Sequence, residues 1–220
     1  MIRHAEVPTN VDRRLETAVP GPSLTEEGRR QAAALAERLA HEGITAVFRS
    51  PLTRTEQTIQ PFLNRSGLGT GVLPGLAEIE AGDLESRNDD VARDAYHSAM
   101  LDWVDGRPAT RVPGGPDGVE FLGRFDDAIA RATDAEDRTV AVVSHGAALR
   151  AWTGTRCANL DRRFVAARPI PNTGVVELTR DSADGVWRCV RWLGAAPDAA
   201  PDAAPDVEPG ATSDTAGQID

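Results

Sequence analysis

Arg3-His4-Ala5-Glu6 places a guanidinium beside an imidazole within the first six residues of this 220-residue chain. A histidine at the end of a strand can attack phosphorus through one ring nitrogen, and a neighbouring arginine can fork onto phosphate oxygens. Alone, Arg-His is a dipeptide that chance supplies often and that usually decorates a surface. Its meaning depends on a second histidine, a second arginine and an acid. His145, in Ser144-His145-Gly146, is the candidate second histidine because it ends an apolar run at 139–143.

The elements that must position these residues alternate. Residues 7–22 hold two prolines before Gly21 and no apolar period, and read as a loop. Ser23 or Thr25 caps a helix that buries Ala32, Leu35, Ala36 and Leu39 and stops at Gly43. A strand at 44–48 follows, then a helix opened by Ser50 as cap and Pro51 at the first helical position. Residues 72–73 and 76–79 predict a third strand broken by Pro74-Gly75. Helices are expected at 90–103, 118–132 and 147–153, strands at 139–143, 174–178 and 186–192, and a Pro/Gly loop at 107–117. This alternation predicts an α/β fold, three layers α/β/α with a mostly parallel sheet. Ligands of such sheets sit beyond the carboxyl ends of the strands, where both His4 and His145 fall.

Only Met1 and Ile2 precede Arg3, where a buried strand normally has about five or six residues. The first strand is therefore expected either to be very short or to begin upstream of Met1, and the second reading is preferred.

Composition narrows the function classes. All 24 basic residues are arginine, which suggests a GC-rich bacterial genome rather than selected arginine chemistry. Six of the acids and none of the bases lie after Gly194, so the formal charge of −10 leaves −4 for the body, with no basic surface for nucleic acid. No apolar run reaches the length of a membrane span and no leader pattern is evident, so the expected address is the cytoplasm, with no membrane partner. Residues 194–220, with Ala-Ala-Pro-Asp three times over, read as a disordered acidic tail beside a catalytic domain at 1–193. Cys157 and Cys189 read as plain thiols. His41 and His97 lack partner motifs and read as surface or core histidines.

Six segments resemble the histidine phosphatase superfamily, the phosphoglycerate-mutase-like fold, across 1–193. Arg3-His4-Ala5-Glu6 with Asn10 looks like its signature, and Leu24-Thr25-Glu26-Glu27-Gly28 with Gln31-Ala32 its first helix. Ser50-Pro51-Leu52-Thr53-Arg54 with Gln57-Thr58 resembles the segment that brings a second phosphate-binding arginine, and 76–82 the segment carrying the acid, here Glu78. Val142-Val143-Ser144-His145-Gly146 resembles the second-histidine motif, and Pro171-Asn172-Thr173-Gly174 a late active-site loop. Each is weak alone; together and in order they identify the family.

The resemblance implies a metal-independent phosphatase, with no cofactor, acting on a small phosphorylated metabolite. His4 would be the nucleophile and Glu78 the proton donor. Arg3, Arg54, Asn10, Gly146 and, if protonated, His145 would hold the phosphate, aided by the N-terminus of the helix after Gly146. Arg49 and Glu80 read as structural neighbours. Tyr96, Met100, Trp103, Arg107 and Arg111 are candidates for a substrate pocket. Three departures stand out: Ala5 where glycine is common, Val7 where a hydroxyl is common, and Ser86 where glycine commonly follows the acid Glu85. The segment between Glu78 and His145 is shorter than in mutases and lacks their paired arginines, which favours hydrolysis over mutase chemistry. The alternatives are a phosphoglycerate-type mutase and a catalytically weak phosphate-ligand or protein-binding module. Oligomeric state is not written in the sequence.

Overall fold

The computed structural model describes residues 1–134, 139–180, 185–194 and 197. Four parallel strands form its sheet in the order β1-β4-β2-β3: β1 (Ile2–Arg3), β2 (Ala46–Arg49), β3 (Gly71–Val72) and β4 (Val140–Ser144). β4 lies between β1 and β2, and its side chains alternate between two cores. Ala141 and Val143 face α2 (Glu26–Leu39) and α3 (Thr53–Ser66), packing with Ile2, Leu35, Val47, Ile59 and Phe62. Val142 faces the larger core built on α4 (Asp90–Val104), α5 (Gly118–Ala132) and α6 (Gly146–Arg156). Helices on both faces make the three layers that the sequence predicts. Two short helices, α1 (Pro8–Val11) and α7 (Arg162–Ala167), and an antiparallel pair, β5 (Val176–Arg180) and β6 (Trp187–Trp192), complete the described elements.

β1 is held despite its length because both its edges are paired. Ile2 and Arg3 register with Val143 and Ser144 on one side. On the other, Ile2 bridges Val175, and the Arg3 N–H donates to the Gly174 carbonyl at 3.0 Å.

Several expected boundaries shift for physical reasons. The loop at 7–22 contains α1, a single turn with Pro8 at its start. Thr25 is the cap of α2, its hydroxyl accepting the Gly28 N–H, and Ser23 is not. α3 begins at Thr53 rather than at Ser50-Pro51, because the Ser50 hydroxyl is engaged by His145 and by the Leu52 N–H. The third strand ends at Val72; residues 74–76 form a 3-10 turn, and the backbone from 75 to 79 bonds to side chains instead of a neighbouring strand. β5 keeps its expected length but lies two residues later, β6 starts one residue later at Trp187, and α7 gave no periodic signal over its six residues. The acidic tail, apart from Gly194 and Pro197, lies outside the described residues.

Ser86 has φ +63°, the left-handed region that disfavours a Cβ. The turn is fixed by its N–H donating to Leu15 O at 2.8 Å and by Arg14 donating to its carbonyl at 2.5 Å. The glycine missing here would relieve this strain. Ser86→Gly should raise stability by about 0.5–1 kcal/mol, the left-handed penalty less glycine's added unfolded-state entropy. A rise in the urea midpoint with an unchanged m-value would show it; a lower midpoint would mean that the turn carries no strain.

Candidate active site

The register Ile2↔Val143 and Arg3↔Ser144 makes His4 and His145 the next residues along two adjacent parallel strands. Their rings stand with centroids 5.2 Å apart, and the His4 N–H donates to the Ser144 carbonyl at 3.0 Å. The two histidines therefore meet, as their places at strand ends require.

His4 has one defined tautomer. Its Nδ1 lies 2.7 Å from the Ala5 carbonyl, which can only accept, so Nδ1 carries the proton and Nε2 keeps its lone pair. Burial, Arg54 and Arg3 together lower its pKa well below the ordinary histidine value, so the ring is neutral. The loop after it is gripped from two helices. The Ala5 N–H donates to Thr58 Oγ1 at 2.8 Å, and the Glu6 N–H to Gln31 Oε1 at 3.0 Å. A Cβ at Gly28 would lie 2.2 Å from the Glu6 carbonyl oxygen, so α2 can approach this closely only with glycine there. Asn172 donates to the His4 carbonyl at 2.9 Å and to Asn10 Oδ1 at 3.0 Å, so Asn10 is at the site's edge with its oxygen already engaged.

His145 differs from the expected cationic donor. Arg54 Nε donates to its Nδ1 at 3.2 Å, so Nδ1 accepts, and the proton on Nε2 goes to Ser50 Oγ at 2.8 Å. Burial first, then Arg54, lowers its pKa well below the usual value. In this arrangement it is a neutral ring.

The two arginines supply the positive charge. Arg54 is 2% exposed, and its Nη2 donates to Glu16 O at 3.1 Å; Arg3 Nη1 donates to Ile170 O at 2.6 Å. Arg54 Nη1 and Arg3 Nε are buried and meet no partner among the described residues. Gly21 (φ +70°) and Gly146 leave room for them: a Cβ would lie 2.7 Å from Arg54 Nη1 at the first and 3.1 Å from Arg3 Nε at the second. Gly146 thus serves the site by admitting Arg3.

Glu78 stands at the N-terminus of α6. Its Oε1 accepts the N–H groups of Ile79 (3.0 Å) and Ala148 (2.8 Å), and its Oε2 that of Ala147 (3.3 Å). The anion at this helix end is the protein's own carboxylate rather than an open phosphate cradle, which corrects the sequence expectation. Both arginines feel Glu78 electrostatically.

The remaining expectations divide. Arg49 pairs with Glu56 at 3.0 Å and Glu80 with Arg124 at 3.1 Å, as structural neighbours should. Met100, Trp103 and Tyr96 are buried core residues, and Arg107 and Arg111 are tied to acids on the surface, so none of the five pocket candidates is free for a ligand. Val7, 1% exposed, packs with Ala5, Leu24 and Ala32, which is why no hydroxyl stands there. Burial pushes the Cys157 thiol up to about 12 and Cys189 up to about 11, so both are inert thiols. No helix among the described residues is long and apolar enough to cross a membrane. Sequence reasoning gave no site role to Thr58, Gln31, Gly28 or Asn172, and read Ser50 only as a helix cap, although each lies inside a motif it quoted; their small or amide side chains carry no chemistry of their own.

Comparison with known proteins identifies the family. The pattern of the histidine phosphatase superfamily (branch 1) matches residues 1–193, and the chain belongs to that superfamily. A Mycobacterium tuberculosis relative, the PE-PGRS family protein PE_PGRS11, is 35% identical over 88% of this chain, which spans only 36% of that protein. The probable phosphoglycerate mutase GpmB of Cronobacter sakazakii is 32% identical over 70% of this chain and 72% of its own length. Among solved structures, a mycobacterial glucosyl-3-phosphoglycerate phosphatase complexed with VO3 superposes with TM-score 0.73 at 28% identity, covering 89% of this chain and 98% of that one. A structure described as mycobacterial hydrolase 1 gives TM-score 0.74 at 26% identity, over 89% and 97% of the two chains.

Two measurements check the electrostatics and the grip on His4. Thr58→Val is nearly isosteric but strands the buried Ala5 N–H, and should cost about 1–3 kcal/mol of stability; no loss would mean that the bond is dispensable. For His97, burial first and then Arg150 and Arg93 lower the pKa to about 4, against 6.5 for the free side chain. The unfolded chain therefore binds protons first as pH falls, and stability drops between about 6.5 and 4, with His97 contributing up to about 3 kcal/mol. Urea unfolding at pH 7.5 and 5 should show the drop, and His97→Gln should lessen it; an unchanged pH slope in the variant would contradict the assignment.

Proposed function

We propose that this protein is a phosphomonoesterase that hydrolyses a small phosphorylated metabolite, without a metal or other cofactor, through a phosphohistidine on His4. The observation that carries the reading is the pair of buried guanidinium N–H groups, Arg3 Nε and Arg54 Nη1, without partners among the described residues, on two cations whose charge His4 feels. Buried donors of this strength are costly unless an anion completes them. The reading is strengthened by the vanadium oxyanion named in the complex of the mycobacterial phosphatase, a likeness in the ligand class.

In this mechanism Nε2 of neutral His4 attacks phosphorus, the N–P bond forms, and the bond to the leaving oxygen breaks. The two arginines hold the equatorial oxygens. The Arg54 guanidinium that donates to His145 also binds the phosphate; the arriving dianion favours a proton on His145, and taking it on Nδ1 means giving up the Arg54 Nε–H bond, which turns the ring into a further cationic donor. Glu78 must take up a proton on Oε2 as substrate binds, since Oε1 already accepts two N–H groups, and gives that proton to the leaving oxygen. Water then attacks the phosphohistidine, yields its proton to Glu78, and releases phosphate and free His4. Asn10 and Gly146 line the phosphate side, Asn10 through its amide Nδ2.

A mutase remains the second reading because the GpmB relative carries that name. A panel of phosphorylated metabolites that includes glucosyl-3-phosphoglycerate and 3-phosphoglycerate, run in EDTA on wild type and His4→Ala, separates them. Free phosphate from wild type, a loss of about a thousandfold or more in His4→Ala, and acid-labile protein-bound phosphate only in wild type are expected. Release of 2-phosphoglycerate from 3-phosphoglycerate would favour the mutase. Acid-labile phosphate persisting in His4→Ala would remove His4 as nucleophile.

A further inference from the structure

The segment that carries Glu78 belongs to no strand or helix at that residue, yet each of its backbone carbonyls from 75 to 79 accepts a side-chain hydrogen bond. Arg124 Nη1 donates to Gly75 O at 2.8 Å and Ala77 O at 3.0 Å, and Arg124 Nη2 to Glu78 O at 2.6 Å. The Ser144 hydroxyl donates to Leu76 O at 2.8 Å, and the Tyr96 hydroxyl to Ile79 O at 2.7 Å. The donors come from α5, β4 and α4, three elements that pack around the larger core.

Arg124 is itself held. Its guanidinium lies 5.0 Å over the Phe121 ring and pairs with Glu80 at 3.1 Å. Gly75 lets the segment lie against α5, since a Cβ there would come 2.2 Å from the Arg124 carbonyl oxygen. Tyr96 is 3% exposed, and its hydroxyl has nowhere to go but the Ile79 carbonyl once the core closes. Neither side chain is bonded to the Glu78 carboxylate. Both act on the backbone on either side of it, and so set where the carboxylate meets the N–H groups of Ala147 and Ala148.

We propose that Arg124 and Tyr96 are positioning residues for the proton donor, fixing the Glu78 carboxylate for transfer to the leaving oxygen. This rests on the reading of Glu78 as general acid. Its consequence is selective. A poor leaving group such as an alkyl alcohol needs the proton, whereas a dinitrophenolate leaves without it. Displacing Glu78 should therefore slow the first displacement on alkyl phosphate esters and spare it on dinitrophenyl phosphate. A merely structural loss would slow both alike.

The test compares kcat and KM for an alkyl phosphate and for 2,4-dinitrophenyl phosphate in wild type, Glu78→Gln, Arg124→Met and Tyr96→Phe. Glu78→Gln should lose kcat/KM, which reports the first displacement and not the later water step that Glu78 also serves, on the alkyl ester far more than on the aryl ester. Arg124→Met and Tyr96→Phe should show the same split in kcat/KM in smaller measure, about 10- to 100-fold on the alkyl ester for the arginine. Tyr96→Phe removes one hydroxyl and keeps the ring, so it serves if Arg124→Met fails to fold. Equal losses of kcat/KM on both esters in Glu78→Gln would overturn the general-acid reading and the proposal with it. A split in Glu78→Gln, together with equal or absent losses in Tyr96→Phe and in any folded Arg124→Met, would overturn the positioning role alone.

Discussion

The site depends on one register: Arg3 opposite Ser144 across a parallel pair. Neighbouring parallel strands lie roughly 4.8 Å apart, so the residues that follow in register bring their side chains to about that separation. The 5.2 Å between the His4 and His145 rings is this spacing expressed in imidazoles. Two residues of β1 would define a register poorly if only β4 held them. The chain at 172–175 closes the other side, with the Thr173 N–H donating to Arg3 O at 3.1 Å and Asn172 donating to His4 O. Shortness is offset by pairing on both edges and by the helix contacts at Ala5 and Glu6.

That register concentrates positive charge where the protein has already excluded water. Arg3 and Arg54 surrender hydration and receive carbonyls of Ile170 and Glu16 in partial return, with Glu78 as the nearby opposite charge. The same two cations, added to burial, keep both histidines neutral. The neutral His4 ring and the two partly unpaired guanidinium groups thus follow from a single arrangement. Charge that would be a liability in a core is what the proposed recognition of a phosphate dianion rests on.

Much of this was legible in the sequence where local pattern and final environment agree. Helix α5 runs from Gly118 to Ala132 as its apolar spacing predicts, with the Asp117 side chain capping it and Glu120 closing the box. The apolar run before His145 became the central strand for the same reason. The expectations that failed did so where a tertiary partner outbid a local signal. Ser50 is a good helix cap by type, yet its hydroxyl orients His145, so the helix waits until Thr53. Residues 76–79 look like a strand, but their carbonyls turn to Arg124, Ser144 and Tyr96. Tyr96, Met100 and Trp103 resembled pocket-lining residues because a large side chain on a helix does not announce which face will be covered.

Glu78 shows why such disagreements gather at the site. His145 is the cap residue of α6, but Arg54 and Ser50 occupy its imidazole, so it makes no side-chain cap bond. The first N–H groups of a helix need acceptors. Glu78 supplies them from 67 residues upstream in sequence, taking the N–H groups of Ala147 and Ala148. A local cap would have left the carboxylate free to wander; a distant carboxylate used as the cap is anchored within reach of both arginines. The helix gains its acceptor and the proposed acid its fixed place from one interaction, which no reading confined to neighbouring residues could anticipate.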